Sequence, residues 1–553
     1  MHMSHAPVRV AVALSGGVDS AVSALFLRRC VKAWRDVEAL WDSPRPLLFR
    51  EVREALEKQW SWADFTAHGR DTLERISAHD PASPVHYHPL YMRNWEETSE
   101  STGGSRWCTA AQQDYYDATD VARLVGILSR EQVLKLYDCS SCYMRTCFEP
   151  MLDAYAQGIT LNVDVLCNAE VKFRALFDIL HASGVAQYIA TGHYARTVAL
   201  PWGECDSMGF HPSASSSRGS EQPMLPPTAC RVVARPFTSG YDLNDQTLFL
   251  SRLTQEQISR ALFPLGHVFQ SKKDVRAIAA LFGLGRIGRR KTSTGLCFVG
   301  ECYGRKGGNV CSFSSFLEEY IAPNQAVTER LLATGSETLF LDAENEKKIC
   351  PSSLQLPKGY KWPKHCIFPA YYFTLGQRLA VKGCTGSTKQ YYVQRKLPFS
   401  LKSNEGENDN CRTKYLRAVW LVNRWDHPLL HSFVAQVHDV FVPLQPACLM
   451  LLLSVDGNNS EEKCDMRLHC YCCSRHQDPL YAAVLCFALG NLRAVSGGLC
   501  ICKASVLFAM PVRALTSGQA LVAYRPLADV HGASSLPLPP PSAWFVVASG
   551  WIT

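Results

Sequence analysis

The sequence has no long hydrophobic run, and its positive and negative charges nearly balance. No apolar stretch approaches the ~20 residues that a membrane-spanning helix needs. The 57 lysines and arginines exceed the 50 aspartates and glutamates by +7, which is compatible with an RNA ligand without indicating one. The first residues lack the basic and apolar regions of a signal peptide. These absences favour a globular protein that works inside the cell and away from the membrane.

Cysteine, by contrast, is plentiful, with 23 residues in the chain. In a small secreted domain this density would indicate a framework of disulfides. This chain has 553 residues and no secretion signal. We therefore expect reduced thiols, of which a few are reactive and most are buried or incidental.

The length predicts several domains, because a single core rarely grows beyond ~250–300 residues. Residues 33–84 are helical and charged in character and residues 201–227 are rich in Ser, Pro and Gly, so we interpret both as inserts. The apolar stretches at 188–191 and 231–235 flank the second insert, and we expect them to pair as a hairpin. From about Ala370 the chain is rich in strand patterns, which indicates an all-β module.

One loop near the start carries a specific signal. A β-branched run at 8–14 leads directly into Ser-Gly-Gly-Val-Asp-Ser at 15–20, and residues 21–29 are typical of a helix. Adjacent glycines let backbone N–H groups close on a pyrophosphate, and the helix N-terminus adds a positive dipole. No Gly-Lys-Ser/Thr follows, which excludes a Walker loop. The segment resembles the pyrophosphate loop (PP-loop) of ATP pyrophosphatases, which split ATP to adenylate a carbonyl oxygen.

Two cysteine motifs narrow the choice among enzymes with such a loop. They are Asn-Val-Asp-Val-Leu-Cys-Asn at 162–168 and Ser-Thr-Gly-Leu-Cys-Phe-Val-Gly at 293–300. Further motifs stand in order along the chain: Leu-Tyr-Met-Arg-Asn-Trp at 90–95, Thr-Gly-His-Tyr at 191–194, Asn-Asp-Gln at 244–246, Phe-Thr-Leu-Gly-Gln-Arg at 373–378 and Thr-Ser-Gly-Gln at 516–519. With these motifs the chain resembles the tRNA-specific 2-thiouridylases, which place sulfur on C2 of the wobble uridine.

The resemblance implies a fold and partners. It implies a doubly wound parallel-sheet α/β domain of the PP-loop, adenine nucleotide alpha hydrolase-like type at 1–255, with ATP at the carboxyl ends of its strands. A small central domain at 256–365 and a C-terminal, tRNA-binding β-barrel at 366–553 would follow. It further implies ATP with Mg²⁺, tRNA, a persulfide sulfur donor and a monomer. The inserts suggest a eukaryotic lineage, whose counterpart works in mitochondria; the cytoplasm is the other expectation.

The chemistry of these residues is coherent in itself. Uracil C2 is a poor electrophile, and adenylation of its oxygen creates a leaving group that a sulfur nucleophile can displace. A persulfide supplies sulfur, and a second thiol can resolve the S–S bond by exchange. The resemblance implies that Cys297 carries the persulfide and that Cys167 is the nucleophilic or resolving thiol, so that the two end a cycle as a disulfide. Asp164 would be the nearby acid/base group.

The resemblance also implies ligand contacts. The expected ATP-binding residues are Ala13, Leu14, Ser15, Gly16, Gly17, Val18, Asp19, Ser20, Met92 and Gly192. The expected tRNA contacts are Asn162, Val163, Asp164, His193, Asn244, Asp245, Gln246 and Gln519. A basic run at 286–291 could meet phosphates, although a solvated loop face explains it equally well.

Some positions depart from the family pattern, and alternatives stay open. Leu161 and Val163 stand where prolines are usual, which puts the rigidity of that loop in doubt, and Asn244 replaces a usual lysine. Cysteines at 139–147 and 470–473 could be read as zinc ligands, but their spacing is unsuitable and no metal site is predicted. The alternative functions are another PP-loop adenylating enzyme, such as a tRNA lysidine synthetase-like or amidotransferase-linked synthetase, and a non-catalytic RNA-binding protein.

Overall fold

The computed structural model describes residues 7–31, 85–95, 97–99, 104–106, 109–200, 230–236, 244–269, 271–289, 313–321, 324–350, 354–356, 365–382, 388–399, 413–455, 466–527 and 543–553. Both expected inserts, 33–84 and 201–227, lie outside the described residues, as does the motif around Cys297. Within the described ranges, no helix combines the length and the hydrophobicity needed to cross a membrane.

The first half of the chain alternates strands and helices. Its strands are β1 (Val8–Ala13), β2 (Val85–Arg93), β3 (Glu97–Ser99), β4 (Gly104–Arg106), β5 (Lys135–Asp138), β6 (Tyr188–Ala190), β7 (Arg196–Leu200), β8 (Cys230–Ala234) and β9 (Ala261–Leu262). Its α-helices are α1 (Val18–Cys30), α2 (Thr109–Val125), α3 (Ser140–Tyr143), α4 (Glu149–Ala156), α5 (Val163–Leu166), α6 (Leu176–Ala182), α7 (Gln255–Arg260), α8 (Pro264–Val268), α9 (Lys272–Leu281) and α10 (Gly285–Gly288). Two π-helical stretches, Met144–Phe148 and Cys167–Ala175, and a 3₁₀ turn, Thr247–Leu250, complete this part.

Five of these strands form a parallel sheet in the order β5-β2-β1-β6-β9. Alternate residues of β1 face opposite sides of it, as a strand's period of two requires. Val10 and Val12 pack with α1, α2 and α9, whereas Ala11 packs with the helical segment that includes Phe173. Both faces are therefore covered, which confirms the doubly wound α/β fold. The edge strand β9 lies beyond residue 255, where the first domain was expected to end.

The expected hairpin between 188–191 and 231–235 is wrong. Tyr188–Ala190 is a parallel strand, with Tyr188 beside Val10 and Ile189 beside Ala261. The antiparallel partner of Cys230–Ala234 is β7, Arg196–Leu200. A strand buried on both faces reads as a continuous apolar run, so the sequence pattern alone did not separate β6 from the hairpin strand that follows it.

A mixed sheet lies between the parallel sheet and the barrel in the chain. Two helices, α11 (Phe313–Tyr320) and α12 (Gln325–Ala333), precede it. Its strands are β10 (Leu339–Asp342), β11 (Leu354–Gln355), β12 (Arg378–Lys382), β13 (Thr388–Pro398) and β14 (Leu416–Val422), in the order β10-β14-β13-β12-β11. Only the β10–β14 pair in this sheet of described strands is parallel.

The last part of the chain is an antiparallel barrel, and a C-terminal barrel was expected. Its elements are β15 (His431–Val442), α13 (Pro446–Met450), β16 (Leu453–Val455), β17 (Met466–Cys473), β18 (Tyr481–Phe487), β19 (Leu492–Val495), β20 (Gly498–Arg513), β21 (Ala520–Pro526) and β22 (Trp544–Ile552). Its strands begin at β15, whereas β12, β13 and β14, which also lie within the expected span 366–553, belong to the mixed sheet. Among the described residues, the 3₁₀ turns Pro428–Leu430 and Leu489–Asn491 precede β15 and β19, and Ala370–Tyr372 precedes β12 of the mixed sheet. The order β15-β20-β18-β17-β21-β22 closes on itself because β22 also pairs with β15. The β7–β8 hairpin extends this sheet through the pair Ala234 and Phe545.

Candidate active site

The loop at 15–20 joins a central strand of the parallel sheet to a helix, as predicted. β1 ends at Ala13, and the Leu14 N–H donates to the Leu90 carbonyl over 2.9 Å. α1 begins at Val18, with Gly17 in an extended conformation as its N-cap. The positive end of the helix dipole therefore lies beside adjacent glycines, an arrangement that binds phosphates.

Packing and hydroxyl groups fix the shape of this loop. Gly16 has φ +73°, and a Cβ there would lie 2.5 Å from the carbonyl oxygen of Asp114 in α2, so a larger residue does not fit. The Ser20 hydroxyl donates to the Gly17 carbonyl over 3.1 Å and accepts from the Ser15 N–H over 3.1 Å. These bonds lie within the protein, so the loop has its shape before a ligand binds.

Asp19 lies in the first turn of α1 and is held by two side chains. Its Oδ1 accepts from the Tyr194 hydroxyl over 2.8 Å, and its Oδ2 forms an ion pair with Lys272 Nζ at the start of α9. The side chains of Asp19 and Lys272 stay 25% and 15% exposed. Sequence reasoning missed Lys272. A signal was present, because a lysine in a first helical turn opposes the helix dipole.

The residues expected near adenosine lie at the carboxyl edge of the sheet. A Cβ on Gly192, after β6, would lie 2.5 Å from the Ser20 nitrogen and 2.6 Å from the Asp19 carbonyl carbon. Glycine therefore allows this loop to pack directly on the first turn of α1. Met92 lies at the end of β2 beside Tyr137 of β5 and packs against the core. Contact of Met92 and Gly192 with adenosine stays a prediction.

Cys167 starts a π-helical stretch directly after α5. It is 7% exposed, and Asn94 Nδ2, after β2, donates to its Sγ over 3.7 Å. A hydrogen bond with Cys147 and burial raise the pKa of Cys167 well above its usual range, whereas the charge on Lys172 opposes this shift. In the resting protein Cys167 is therefore a neutral thiol.

Lys172 brings a positive charge to the same stretch. Its Nζ donates to Asn168 Oδ1 over 2.8 Å. Burial raises the pKa of Asp164, and the nearby charge on Lys172 opposes that rise. A raised pKa suits the expected acid/base role of Asp164, which stays a prediction. Sequence reasoning missed Lys172, because the π-helical spacing that turns it toward Cys167 has no sequence signature.

His193 is a neutral imidazole at the carboxyl edge of the sheet. Its Nδ1 lies 2.7 Å from Thr191 Oγ1. The rings of Phe173 and Phe263 lie 6.1 and 6.0 Å from it between centroids. Burial and the charge on Lys172 lower the pKa of His193 well below its usual range. The expected contact of His193 with tRNA stays a prediction. In such a contact the neutral ring would form a hydrogen bond but would carry no charge.

The turn at 244–246 makes internal contacts. Asp245 forms an ion pair with Arg235. Gln246 Oε1 accepts from the Tyr194 N–H over 3.0 Å, and the Gln246 N–H donates to the Tyr194 carbonyl over 3.1 Å. The turn, which begins at Asn244, thereby holds the tyrosine that contacts the Asp19 carboxylate. These contacts are structural, and the tRNA contacts expected of the turn stay predictions.

A turn of the barrel holds the segment that precedes Cys167. The Thr160 N–H donates to the Ser517 carbonyl over 3.0 Å, and the Asn162 N–H donates to the Gly518 carbonyl over 3.2 Å. Gln519 Nε2 donates to the Thr160 carbonyl over 2.6 Å. Two residues expected to contact tRNA, Asn162 and Gln519, are thus brought to one place by long-range contacts.

A partly buried lysine adds a second restraint to this segment. Lys396 Nζ donates to the carbonyls of Gly158, Ala370 and Phe373 over 3.0, 3.1 and 2.7 Å. Burial lowers the pKa of Lys396 to about 8. Together with the bonds to the barrel turn, these contacts restrain the segment in which Leu161 and Val163 replace the usual prolines.

Two further parts of the expected site are Cys297 and the basic run at 286–291. Cys297 and the end of the basic run, at 290–291, lie outside the described residues. Arg286 of that run pairs with Asp117 over 2.5 Å and with Asp120 over 3.5 Å, both in α2. This arginine therefore has an internal role, while its guanidinium stays largely exposed.

The cysteines at 139–147 and 470–473 are the two groups that the sequence offered as zinc ligands. Among the described residues, no group of three or more His, Cys, Asp or Glu side chains could hold a metal ion. The sulfurs of Cys470 and Cys472 lie 3.7 Å apart on one strand. Cys147 contacts Cys167, which sequence reasoning missed because no motif connects these two positions.

The phosphate loop and Cys167 lie at the same edge of the parallel sheet. The loop follows β1, Asn94 follows the neighbouring strand β2, and Gly192 follows β6 on the other side. The carboxyl ends of parallel strands meet at one edge, where ligands of such folds bind. Asn94 donates a hydrogen bond to the Cys167 sulfur and follows β2, the strand next to β1. The sulfur therefore lies one strand away from the phosphate loop.

Known proteins are similar to this chain over more than half of its length. A family model described as tRNA methyl transferase HUP domain matches residues 83–301. The chain is 31% identical over 360 residues to the tRNA-specific 2-thiouridylase of Bordetella avium, covering 64% of this chain and 72% of that protein. It is 32% identical over 440 residues to that of Methylibium petroleiphilum, covering 79% and 78%. Against that of Lactococcus lactis subsp. lactis it is 30% identical over 318 residues, covering 58% and 57%.

Proposed function

The chain belongs to the tRNA-specific 2-thiouridylase family, and from that premise we propose that it thiolates C2 of the wobble uridine of tRNA in an ATP-dependent reaction. Family membership makes it a tRNA sulfurtransferase. The relatives named as 2-thiouridylases match a longer part of the chain than the family model described as a methyl transferase, which supports thiolation rather than methylation.

The first step would activate the base. The uracil O2 attacks the α-phosphorus of ATP, pyrophosphate leaves, and the C2 oxygen becomes part of an AMP leaving group. The N–H groups at 15–20 would bind the phosphates, and Lys272 would add positive charge there. Glycine at 16 and at 192 keeps the loop and its neighbour close together. Mg²⁺, held by Asp19 and the phosphates, would neutralise part of the phosphate charge.

The second step would transfer sulfur. The outer sulfur of a persulfide on Cys297 attacks C2 and AMP leaves with its oxygen, so that the base is joined to Cys297 through S–S. The Cys167 thiolate then attacks the Cys297 sulfur. The electron pair of the broken S–S bond stays on the base as 2-thiouridine, and Cys167 and Cys297 are left as a disulfide. Asp164 would take or return a proton at this site.

The observation that supports this proposal best is the placement of Cys167 beside Asn94, one strand from the phosphate loop. An adenylated base and a sulfur nucleophile must meet at one atom, C2. A thiol at the same sheet edge as the ATP phosphates suits that requirement. Synthetases with a PP-loop that form C–N bonds have no need of such a thiol.

The remaining parts of the proposal concern tRNA contacts, the oligomeric state, the sulfur donor, the domain bounds and the location in the cell. The barrel and the segment around Asn162 and Gln519 would contact tRNA, and the chain would act as a monomer that receives sulfur from a persulfide donor. The division at 255 and 365 and a mitochondrial location stay predictions. Limited proteolysis and organelle fractionation test these two.

The deciding experiment follows labelled sulfur through one turnover. The full-length protein receives ³⁵S-labelled cysteine persulfide, ATP and unmodified tRNA, and label is read on each cysteine and then on the tRNA. We expect label on Cys297 and then on the wobble uridine, with one AMP formed per thiouridine. Cys297→Ser should bind ATP and tRNA but yield no labelled tRNA. Wild-type thiolation by Cys297→Ser would overturn the mechanism, and ATP-dependent tRNA product without sulfur would favour the synthetase alternative.

A further inference from the structure

Cys147 is a thiol that the proposed reaction does not use. It lies in the π-helical stretch Met144–Phe148, is 0% exposed, and belongs to the same core cluster as Cys167. The stretches that contain these two cysteines pack against each other, and the Cys147 side chain interacts with the Cys167 thiol and raises its pKa. A second thiol is therefore adjacent to the thiol at the sheet edge.

The surroundings of Cys147 distinguish it from the neighbouring cysteines. Cys142, in α3, is partly exposed and packs only at the margin of the cluster. Cys139 is buried, and burial with the nearby Cys142, Asp138 and Cys167 raises its pKa to about 12. The side chain that acts on the pKa of Cys167 is nevertheless that of Cys147. Thr146 Oγ1 donates to the Cys142 carbonyl over 2.8 Å and lies 3.6 Å from Cys147 Sγ, so it is placed to accept a hydrogen bond from this thiol. Cys147 thus combines contact with Cys167 and a polar neighbour.

We propose that Cys147 is a resolving thiol, which attacks the Cys167 sulfur of a disulfide formed there and releases the other cysteine. The inference rests on the proposed function, in which Cys167 ends a turnover bonded to Cys297. As the bond between Cys147 and Cys167 forms, the bond from Cys167 to Cys297 breaks. Its electron pair leaves on the Cys297 sulfur, and Cys297 takes up a proton equivalent to the one that Cys147 loses.

The exchange needs no added oxidant. The oxidising equivalent in the disulfide comes from the persulfide sulfur that entered the cycle, and the exchange only moves it from one pair of thiols to another. A dithiol reductant of the cell then reduces the Cys147–Cys167 disulfide and itself becomes a disulfide. Since Cys147 already contacts Cys167, the attack is intramolecular and does not wait for that reductant. Cys297 would be free to accept a new persulfide at once.

The direct test maps disulfides during a single turnover of the wild-type protein. Full-length protein reacts with cysteine persulfide, ATP and tRNA, is quenched with N-ethylmaleimide in denaturant, and is digested without reduction for mass spectrometry. We expect a peptide pair joined through Cys147 and Cys167 to appear with 2-thiouridine, while Cys297 is recovered as an alkylated thiol. Persistence of a Cys167–Cys297 pair with alkylated Cys147, or a pair through Cys139, would overturn the inference.

Variants separate this inference from the proposed function. Cys147→Ser keeps the size and a hydrogen-bonding group, and Cys147→Val keeps an apolar side chain in the core; thermal unfolding verifies the fold of each. Both should complete the first turnover with normal yield, accumulate the Cys167–Cys297 disulfide, and turn over about tenfold more slowly afterwards. Cys142→Ser is the matched control and should behave as wild type. Unchanged steady-state turnover in Cys147→Ser overturns the inference alone, whereas a missing first turnover in the wild type overturns the proposed function.

Discussion

The phosphate loop and the Cys167 stretch both begin helices at one edge of the parallel sheet, yet they differ in polarity. In the phosphate loop, Asp19 is paired with Lys272 and the Ser20 hydroxyl bonds to the backbone. In the other stretch, Cys167 is 7% exposed and its hydrogen-bond partner Cys147 is 0% exposed. One site holds charges in place, and the other keeps a nucleophile neutral.

This difference has a chemical meaning. A site whose charges are already oriented can bind and polarise a phosphate without reorganising. A thiol within an apolar cluster is protonated and unreactive until its surroundings change. We therefore expect the adenylation half of the reaction to run without the thiols. The sulfur-transfer half depends on ionising Cys167.

The largest expected effect comes from removing the thiol while leaving the phosphate loop intact. Serine has nearly the size of cysteine but cannot form or resolve an S–S bond. Cys167→Ser should therefore reduce 2-thiouridine formation by about 10³-fold or more, while pyrophosphate release stays near the wild-type rate. Nucleoside mass spectrometry and a pyrophosphate assay measure the two halves. Cys142→Ser is the control; a Cys167→Ser protein that thiolates normally would contradict the division into two sites.

The converse change removes a charge from the phosphate loop. Lys272→Ala takes away the cation beside Asp19 and should slow adenylation by about 10²–10³-fold, the usual effect of losing one transition-state donor. The alkylation rate of Cys167 should not change. Lys273, the next residue of α9, is exposed, so Lys273→Ala is the matched control. Equal losses in the two variants would show that general surface charge matters rather than the contact with Asp19.

A smaller effect should follow from crowding the phosphate loop. In Gly192→Ala the new methyl group meets the Ser20 nitrogen at 2.5 Å, and the strain should cost about 1–3 kcal/mol. We expect a lower unfolding midpoint and a KM for ATP raised about tenfold or more. The control is Gly285→Ala, because a Cβ at that position meets nothing within 4 Å. If both variants leave the KM for ATP unchanged, the loop after β6 does not shape the ATP site.

The two sites also differ in how far the sequence predicts them. The phosphate loop is local: an apolar strand, two glycines and a helix follow one another, and the structure confirms all three. Its partner Lys272 was missed: a lysine in a first helical turn was a signal, but the ion pair between α1 and α9 depends on how the sheet is wound. The parallel sheet and the barrel were predicted, whereas the partner of β8 was not, since β6 and β7 are both short apolar strands.

The contacts of the Cys167 site join residues that are far apart in the sequence. Its motif identified the thiol, but the contacts with Asn94 and Cys147 join separate segments, and no spacing rule connects them. The π-helical stretch that follows Cys167 changes which residues share its face, so helical periodicity could not place Lys172. Bonds from the barrel turn restrain the segment that contains Leu161 and Val163, and only the folded chain reveals them.

The smallest expected effect comes from changing the residues that control the ionisation of Cys167. The hydrogen bond with Cys147 and burial raise the pKa of Cys167, and the positive charge on Lys172 opposes them by stabilising the thiolate. Lys172→Met removes that charge, so the pKa should rise further and the alkylation profile of Cys167 should move to higher pH. At a fixed pH below the pKa, a shift of one unit lowers the thiolate fraction, and hence the iodoacetamide rate, about tenfold.

The opposite shift should follow from Cys147→Val, because the hydrogen bond that favours the neutral thiol is lost; alkylation should then begin at lower pH. Arg174→Met is the control for Lys172→Met, since Arg174 is 64% exposed and pairs with Glu170 on the surface. Peptide mapping assigns the label to Cys167 in each variant. If Lys172→Met and Arg174→Met give the same profile, Lys172 does not act on the thiol. The Cys167 site would then depend on burial and Cys147 alone, and its contrast with the charged phosphate loop would be complete.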